Sequence, residues 1–360
     1  MNERRVSLGN RALSLLLALV MVIGLLPAGI FSVSAADSTV ATTAASVEEV
    51  REYAASLLAE SYANAGTNSE LSWTTETGKG DNWRYYTGVM MDAMLMLGVN
   101  SDNDVTNSKG NALEFAQVFM DFNIDDDGDI TKWHGGELDS VPPALSLLTI
   151  LDSAGVDAAH RADYEEAIHF VYNEIMNQTS YSNCGGNFKH KESGWDTWNI
   201  GLDGIYMAQP FLMKYANALE SGKITNADAS ASEIYEEVYN RLMWVADTMY
   251  DSNTKLYHHG WNVSGNKGNG VFWSRGIGWY AAGLVMCIDM MPDGQYKTNL
   301  IGKLPKLFDG MMQYQDSNTG LWYNIVNTTE KVVTSGDNKD NYNRLETSGS
   351  GLMAYAMMKA

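Results

Sequence analysis

Apolar residues recur along this chain with the 3.6-residue period of helices, and strand-like alternation is scarce. The segment 231–250 is amphipathic, because its apolar side chains share one face and its glutamates lie opposite. The segments 88–97 and 276–285 are apolar nearly all round. The periodicity predicts ten helices, near residues 46–65, 83–98, 111–122, 142–154, 162–178, 203–219, 231–250, 275–291, 297–314 and 346–360.

The two kinds of helix alternate along the chain, and this alternation predicts an all-α fold in two layers. Amphipathic helices suit an outer layer, and helices that are apolar all round suit an inner one. Outer and inner helices joined as antiparallel hairpins describe an α/α-barrel. Since every inner helix then runs in the same direction, we expect their N-termini to meet at one end.

Polar and aromatic residues collect at the predicted N-termini of the inner helices, which indicates a functional site at that end. The groups lie at Trp83 to Tyr86, Asp139 to Pro143, Asp203, Trp273 to Arg275 and Glu346 to Ser350. They are remote in sequence, so only the expected fold brings them together.

Asp139 and Asp203 each have two interpretations. An Asp just before an apolar helix is commonly an N-cap, which accepts backbone N–H bonds and favours the ionised carboxylate. Burial beside a second carboxylate acts in the opposite direction and can leave one of two acids protonated. A carboxylic acid that is protonated near neutral pH can serve as a general acid.

Aromatic, cationic and imidazole side chains near the same end are candidates for sugar binding, with ordinary core packing as the alternative for the indoles. Arg275 pairs well with carboxylates and stacks on aromatic faces. The histidines have structural loop roles as their alternative. The candidate substrate-binding residues are Arg275, Trp279, Trp273, His190, His259, Trp261, Trp83 and Tyr86.

Residues 1–35 have the pattern of a secretory signal peptide: arginines, an apolar run and small residues around Ala35. We expect a linker at 36–45, a barrel domain at 46–360 and a secreted protein, either free or attached to the cell wall. Residues 1–35 carry three Arg and one Glu, so removing their net charge of +2 changes the formal charge from −20 to −22. That acidity argues against nucleic-acid and anionic-membrane partners.

Neither the cysteines nor the acidic loops predict a metal site. Cys184 and Cys287 leave one disulfide open as a possibility, which their spacing does not decide. The segment 123–128 imitates a calcium loop, but the position of the bidentate Glu holds His134, so we interpret it as an acidic surface turn. We expect no metal and no organic cofactor.

Six short motifs resemble the unsaturated glucuronyl and rhamnogalacturonyl hydrolases, glycoside hydrolase families 88 and 105, with family 105 the better match. In order and approximate spacing they cover nearly the whole mature chain. They are Glu137 to Ser140, Leu202 to Phe211, His259 to Trp261, Phe272 to Trp279, Gly320 to Tyr323 and Glu346 to Ser350.

The resemblance implies an (α/α)6 barrel that removes a 4,5-unsaturated uronic acid from the non-reducing end of lyase-generated oligosaccharides, with rhamnogalacturonan from pectin as the expected source. It implies that Asp203 protonates C4 and then activates the water that adds at C5. The second active-site Asp of the family matches Asp139, and Arg275 occupies a substrate-binding position.

The chain departs from the family pattern around its proposed pocket. Gly201 stands where the family usually carries Trp, and the segment 190–203 is about two residues longer, so Trp195 or Trp198 is a candidate replacement. Ten predicted helices are two fewer than twelve, and we expect the domain to be incomplete at Ala360.

Two other functions remain open. One is a different barrel enzyme that acts on saturated glycans, or an epimerase. The other is a glycan-binding module without catalysis. The presence of Asp139, Asp203 and Arg275 together favours an enzyme.

Overall fold

The computed structural model describes residues 83–98, 112–153, 156–193, 198–328 and 343–360. The expected signal peptide, the linker and the predicted helix 46–65 lie outside these ranges. The helices are α1 (Tyr85–Gly98), α2 (Ala112–Asn123), α3 (Pro142–Ile150), α4 (Ala158–Asn177), α5 (Leu202–Glu220), α6 (Ala231–Thr248), α7 (Ser274–Met290), α8 (Gln295–Ile301), α9 (Leu304–Met312) and α10 (Thr347–Lys359).

The helices form two layers, as the alternation predicts. Helices α1, α3, α5, α7 and α10 pack side by side in that order and make the inner layer. Helices α2, α4, α6 and α8 pack behind them on the outside. Each inner helix packs against the next one along the row.

Burial explains why each helix occupies its layer. Most side chains of α5 and α7 are buried. Helix α6 buries one face, which includes Ile234, Val238 and Leu242. A capping box of Ser230 and Glu233 begins α6 at its predicted position.

The structure corrects the predicted boundaries of three helices. The predicted helix 297–314 is two helices, because Pro305 in the first turn of α9 has no N–H to continue the ladder from α8. Helix α4 begins earlier than predicted, since Asp157 caps it through the backbone N–H groups of Ala159 and His160. Helix α3 ends at Ile150 rather than at residue 154.

Short strands lie in the connections and fasten neighbouring loops together. They are β1 (Ser180–Tyr181), β2 (Asn187–Phe188), β3 (Ile200–Gly201), β4 (Tyr250–Asp251), β5 (Leu256–Tyr257), β6 (Gly260–Asn262), β7 (Lys267–Gly268), β8 (Trp322–Tyr323) and β9 (Leu345–Glu346). Strands β3, β6 and β7 form one antiparallel sheet. The other strands pair antiparallel as β1 with β2, β4 with β5 and β8 with β9.

Three further features bear on the sequence analysis. Cys184 and Cys287 are both buried and unpaired, so they form no disulfide. The acidic turn at 123–128 is closed by the Asp125 side chain, which accepts hydrogen bonds from the backbone of Asp127 and Asp129. Of the helices that the structure describes, none is both long and apolar enough to cross a bilayer.

Candidate active site

Asp139 lies in a single 3₁₀ turn, Leu138–Ser140, directly before α3. Backbone contacts join this turn to the segment that precedes α5. The Leu138 N–H donates to the His190 carbonyl at 3.1 Å, and Glu137 pairs antiparallel with Lys191. The pairing places the side chains of His190 and Lys191 beside the Asp139 carboxyl.

The Asp139 carboxylate is held in its ionised form. Its Oδ1 lies 3.2 Å from His190 Nε2, and its Oδ2 lies 3.0 Å from Lys191 Nζ. Burial acts to raise the pKa of Asp139, but the hydrogen bonds and charges of His190 and Lys191 outweigh it and hold this pKa at about 2. No helix cap is involved, since α3 has no side-chain cap.

Asp203 occupies the first turn of α5, where the N-cap is Gly201 and no side chain caps the helix. The β3–β6 pairing aligns Gly201 with Gly260, and the Leu202 N–H donates to the His259 carbonyl at 3.0 Å. Consequently Asp203 Oδ1 lies 3.6 Å from His259 Nδ1. Within the described ranges both atoms are buried and have no hydrogen-bond partner.

His259 is enclosed by two indoles. Its ring makes edge contacts with Trp198 at 4.8 Å and with Trp273 at 4.7 Å between centroids. A Cβ on Gly276 would come within 2.6 Å of His259 Nδ1, so only glycine leaves room for the imidazole there. Burial lowers the pKa of His259, and the Asp203 carboxylate opposes that shift. Asp203 therefore faces an imidazole whose neutral form is favoured.

Arg275 offers an accessible cation at the same end. Its guanidinium carbon lies 4.5 Å from the centre of the Trp273 ring, and the side chain is 42% exposed. Its Nη1 donates to Ser348 Oγ at 3.5 Å and lies 3.7 Å from Glu346 Oε1, both at the start of α10. Stacking and these contacts orient the guanidinium and leave donors available for an anionic ligand.

Tyr85, at the start of α1, shows that these groups converge. Burial raises the pKa of the Tyr85 hydroxyl, the Arg275 charge lowers it, and the Asp139 and Asp203 charges raise it further. One hydroxyl thus lies in the field of three charges from the starts of α3, α5 and α7. Asp139 and Asp203 lie at the same end of the inner layer.

The remaining candidates lie around or behind the end of the inner layer that Tyr85, Asp139, Asp203 and Arg275 share, which we call the mouth. Tyr86 is partly buried against Tyr85. Trp279 is buried between Tyr206 and Tyr85, and Trp261 is buried against Trp244.

Trp83 has no exposed surface, which corrects its assignment as a substrate contact. Its indole N–H donates to the Ser140 carbonyl at 2.8 Å, and its ring stacks near Phe119. It supports the turn that carries Asp139.

Sequence reasoning missed Tyr85, Glu137 and Lys191 as members of the site. Tyr85 stands beside Tyr86 in a motif that was noticed, but the periodicity does not tell which ring faces the mouth. Lys191 follows His190 directly, yet its role depends on the backbone pairing with Glu137, which joins positions far apart in sequence. Trp198 contacts His259, whereas Trp195 lies outside the described residues.

Comparison with known proteins places the chain in a family. The model of Glycosyl Hydrolase Family 88 matches residues 59–360, and the chain therefore belongs to that family. An unsaturated 3S-rhamnoglycuronyl hydrolase from Formosa agariphila is 27% identical over 158 residues, 43% of this chain. The chain covers less than half the length of the curated relatives it matches, 38% of this hydrolase and 44% of Protein Atu3128 from Agrobacterium fabrum.

Solved structures confirm the predicted class of fold. A family 105 glycoside hydrolase from C. acetobutylicum superposes with a TM-score of 0.63 at 22% identity, covering 85% of this chain and 76% of that one. An unsaturated glucuronyl hydrolase from Bacillus sp. GL1 superposes with a TM-score of 0.56 at 12% identity, covering 86% and 80%. At these identities the likeness shows the (α/α)-barrel type of fold alone.

Proposed function

We propose that the protein hydrolyses oligosaccharides by removing a 4,5-unsaturated uronic acid from their non-reducing end. Membership of glycosyl hydrolase family 88 supports a glycosidase acting on such sugars. The observation that carries the proposal is the contrast between its two carboxyl groups. Asp139 is held as an anion by His190 and Lys191, whereas the buried Asp203 Oδ1 accepts no hydrogen bond from the described residues.

This contrast assigns a role to each group. The Asp203 carboxyl faces an imidazole whose neutral form is favoured, so it can give up a proton and take one back without separating a pair of fixed charges. It protonates C4 of the enol ether, and positive charge then develops at C5 and the ring oxygen. The ionised Asp139 stabilises that charge, since fixed charges are effective where charge develops in a site with little water. Arg275 binds the uronate carboxylate.

Addition of one water completes the reaction. Asp203, now ionised, takes a proton from the water as its oxygen bonds to C5, so the residue returns to its starting state. The hemiketal formed at C5 opens to a ketone, and the open form releases the next sugar as an alcohol. The sum is one water consumed for each glycosidic bond broken.

We propose rhamnose as the sugar next to the uronic acid, and fragments of rhamnogalacturonan as the substrate. The relative from Formosa agariphila is named for rhamnoglycuronyl hydrolysis, which supports a rhamnose neighbour. Products of rhamnogalacturonan, ulvan-type and glycosaminoglycan lyases supplied side by side would identify the preferred linkage. We also propose that residues 1–35 direct export, so that a secreted protein begins at Ala36 or Asp37 when its N-terminus is sequenced.

The deciding assay follows the absorbance of the conjugated enol acid. Wild-type protein is expected to remove it from lyase-generated oligosaccharides, and Asp203→Asn to lower kcat/KM by about 10³-fold or more, in the range of a general acid–base group. Asp293→Asn is the matched control, because that carboxylate is 97% exposed and its ion-pair partner among the described residues is Lys297.

Three outcomes would contradict the proposal. Undiminished turnover by the Asp203 variant would remove that residue from its role. Products from saturated glycans with none from lyase fragments would indicate a different barrel enzyme or an epimerase. Saturable sugar binding without turnover would indicate a binding module.

A further inference from the structure

Lys191 holds two carboxylates with one ammonium group. Its Nζ lies 2.9 Å from Glu137 Oε2 and 3.0 Å from Asp139 Oδ2. The other oxygen of Glu137 accepts a hydrogen bond from Arg84. Both carboxylates are mostly buried, with 16% of each side chain exposed. Lys191 therefore lies inside a charged cluster at the mouth, and it belongs to the segment that leads into α5.

Without its ammonium group this arrangement is unfavourable. Two carboxylates that share a partly buried site repel each other, and the repulsion raises the pKa of at least one of them. Arg84 neutralises Glu137 from the far side, whereas Asp139 depends on the segment 190–191 for its opposing charge. Removing the lysine charge would leave Asp139 with His190 and with a neighbouring negative charge.

We propose that Lys191 is a positioning residue that keeps Asp139 ionised and aims its carboxylate into the mouth. The proposal rests on the proposed function, since it gives Lys191 a purpose only if an anionic Asp139 stabilises the charge that develops at C5. It goes further, because it accounts for how one of two nearby aspartates is kept as the anion.

The titratable groups facing Asp139 come from several elements. His190 and Lys191 lie before α5, Tyr85 begins α1, and Glu137, Arg84 and His134 surround the turn before α3. Burial lowers the pKa of His134, and the charges of Arg84 and Lys191 lower it further, so its neutral form is favoured. Lys191 thus contacts Asp139 through an ammonium group, beside the His190 imidazole.

The test compares Lys191→Met with Lys191→Arg, which keeps the charge, and with Lys189→Met. Lys189 is the matched control because its Nζ donates to the Glu192 carbonyl at 2.7 Å and lies outside the cluster. The readouts are kcat and KM from about pH 2 to 8 with lyase-generated oligosaccharides, and the titration of Asp139 over the same range. The titration uses carbon NMR of aspartate-labelled full-length protein, with Asp139 assigned from the signal that Asp139→Asn lacks.

In Lys191→Met we expect the midpoint of the Asp139 titration to move to higher pH by about one unit or more, because an opposite charge in contact with the carboxylate is lost. The acidic limb of the pH profile of kcat should move with it. Along the acidic limb the variant should lose up to about ten times more of its kcat than the control does, the ratio that one pKa unit gives, while KM changes less. Lys191→Arg should restore most of both. An unchanged midpoint and limb in Lys191→Met, or equal shifts in Lys189→Met, would overturn the proposal.

Two further results keep the test decisive. Should Lys191→Met fail to fold, Glu137→Gln serves instead. This variant leaves Lys191 with Asp139 as its one carboxylate partner in the cluster, so the midpoint of the Asp139 titration should not exceed its wild-type value. A higher midpoint would count against the proposal. A wild-type protein without turnover contradicts the proposed function. The NMR titration then still decides whether Lys191 holds Asp139 ionised.

Discussion

Asp139 and Asp203 are the same residue type at equivalent places in the fold, yet their surroundings give them different properties. Each precedes or begins an inner helix, where an N-cap is the ordinary expectation. In the structure neither caps, because Asp139 turns toward Lys191 and Asp203 lies beside His259. Their difference comes from residues that other loops supply.

The pKa of His259 tests the placement of Asp203 independently of activity. Burial lowers this pKa and the Asp203 carboxylate raises it, so Asp203→Asn should lower it further. Because the folded pKa lies below the ordinary 6.5, protonation of His259 is resisted, and stability from this group falls as the pH drops below that value. The measurement is NMR titration of labelled histidines.

A neighbouring histidine supplies the control for that titration. His258 lies 3.9 Å from Asp251, which opposes the lowering of its pKa by burial. Asp251→Asn should shift His258 and leave His259 unchanged. A His259 pKa that rises or stays constant in Asp203→Asn would show that no ionised Asp203 carboxylate acts on this imidazole.

Sequence alone predicts which residues bear chemistry better than it predicts what each does. Asp139, Asp203 and Arg275 were found because each stands at the start of an apolar helix, and the structure gathers them around Tyr85. Trp83 was misassigned because an indole before a helix has the same pattern whether it faces the mouth or the core. The side chain's direction depends on packing against Phe119, which no local pattern encodes.

At the scale of elements, helix type and order could be predicted because apolar periodicity records which faces are buried. The break between α8 and α9 was missed, although Pro305 marks it, since the apolar period continues through the interruption. The strand pairings of the loops were missed as well. Strands of two or three residues are too short to show alternation, and their partners are remote in sequence.

The inner helices approach each other through glycines, which leads to a prediction about α7 and α10. A Cβ on Gly278 would lie 2.8 Å from Leu352 Cβ and 3.0 Å from the Gly349 carbonyl oxygen. Gly278→Ala should therefore destabilise the fold by about 1–3 kcal/mol through overpacking. It should do so although alanine favours helix by about 1 kcal/mol relative to glycine. Urea unfolding measures the difference.

The matched control is Gly294→Ala. Gly294 precedes α8 at an extended backbone angle, and a Cβ there would meet nothing within 4 Å. It should change stability by less than about 0.5 kcal/mol, as ordinary surface substitutions do. If Gly278→Ala proved as stable as the control, the close packing of α7 on α10 would not hold.

At the scale of the whole molecule, the fold brings chemistry from distant parts of the sequence to one end. The starts of α1, α3, α5, α7 and α10 all contribute to the mouth, so no single motif suffices to define it. The layered pattern of helices therefore predicted that these residues meet at one end of the inner layer. The strongly acidic composition does not describe the mouth, where Arg84 and Lys191 pair with the carboxylates around Asp139 and Arg275 lies at the start of α7.

The contrast between the negative net charge of the chain and the cations at the mouth predicts how kcat/KM depends on salt. The chain carries a formal charge of −20, so its overall field opposes the approach of an anionic oligosaccharide, while Arg275 attracts the uronate only at short range. Raising ionic strength from about 0.01 M to 0.15 M shortens the screening length from about 30 Å to 8 Å. Added salt screens the long-range repulsion more strongly than the short-range attraction. We therefore expect kcat/KM to rise by about two- to tenfold, at the low end of the rate changes that electrostatic steering produces. The rise should be larger for lyase fragments with two carboxylates than for those with one, which separates charge from any general effect of salt. If kcat/KM fell with salt for both substrates, attraction at the mouth would outweigh repulsion by the acidic surface when the substrate approaches.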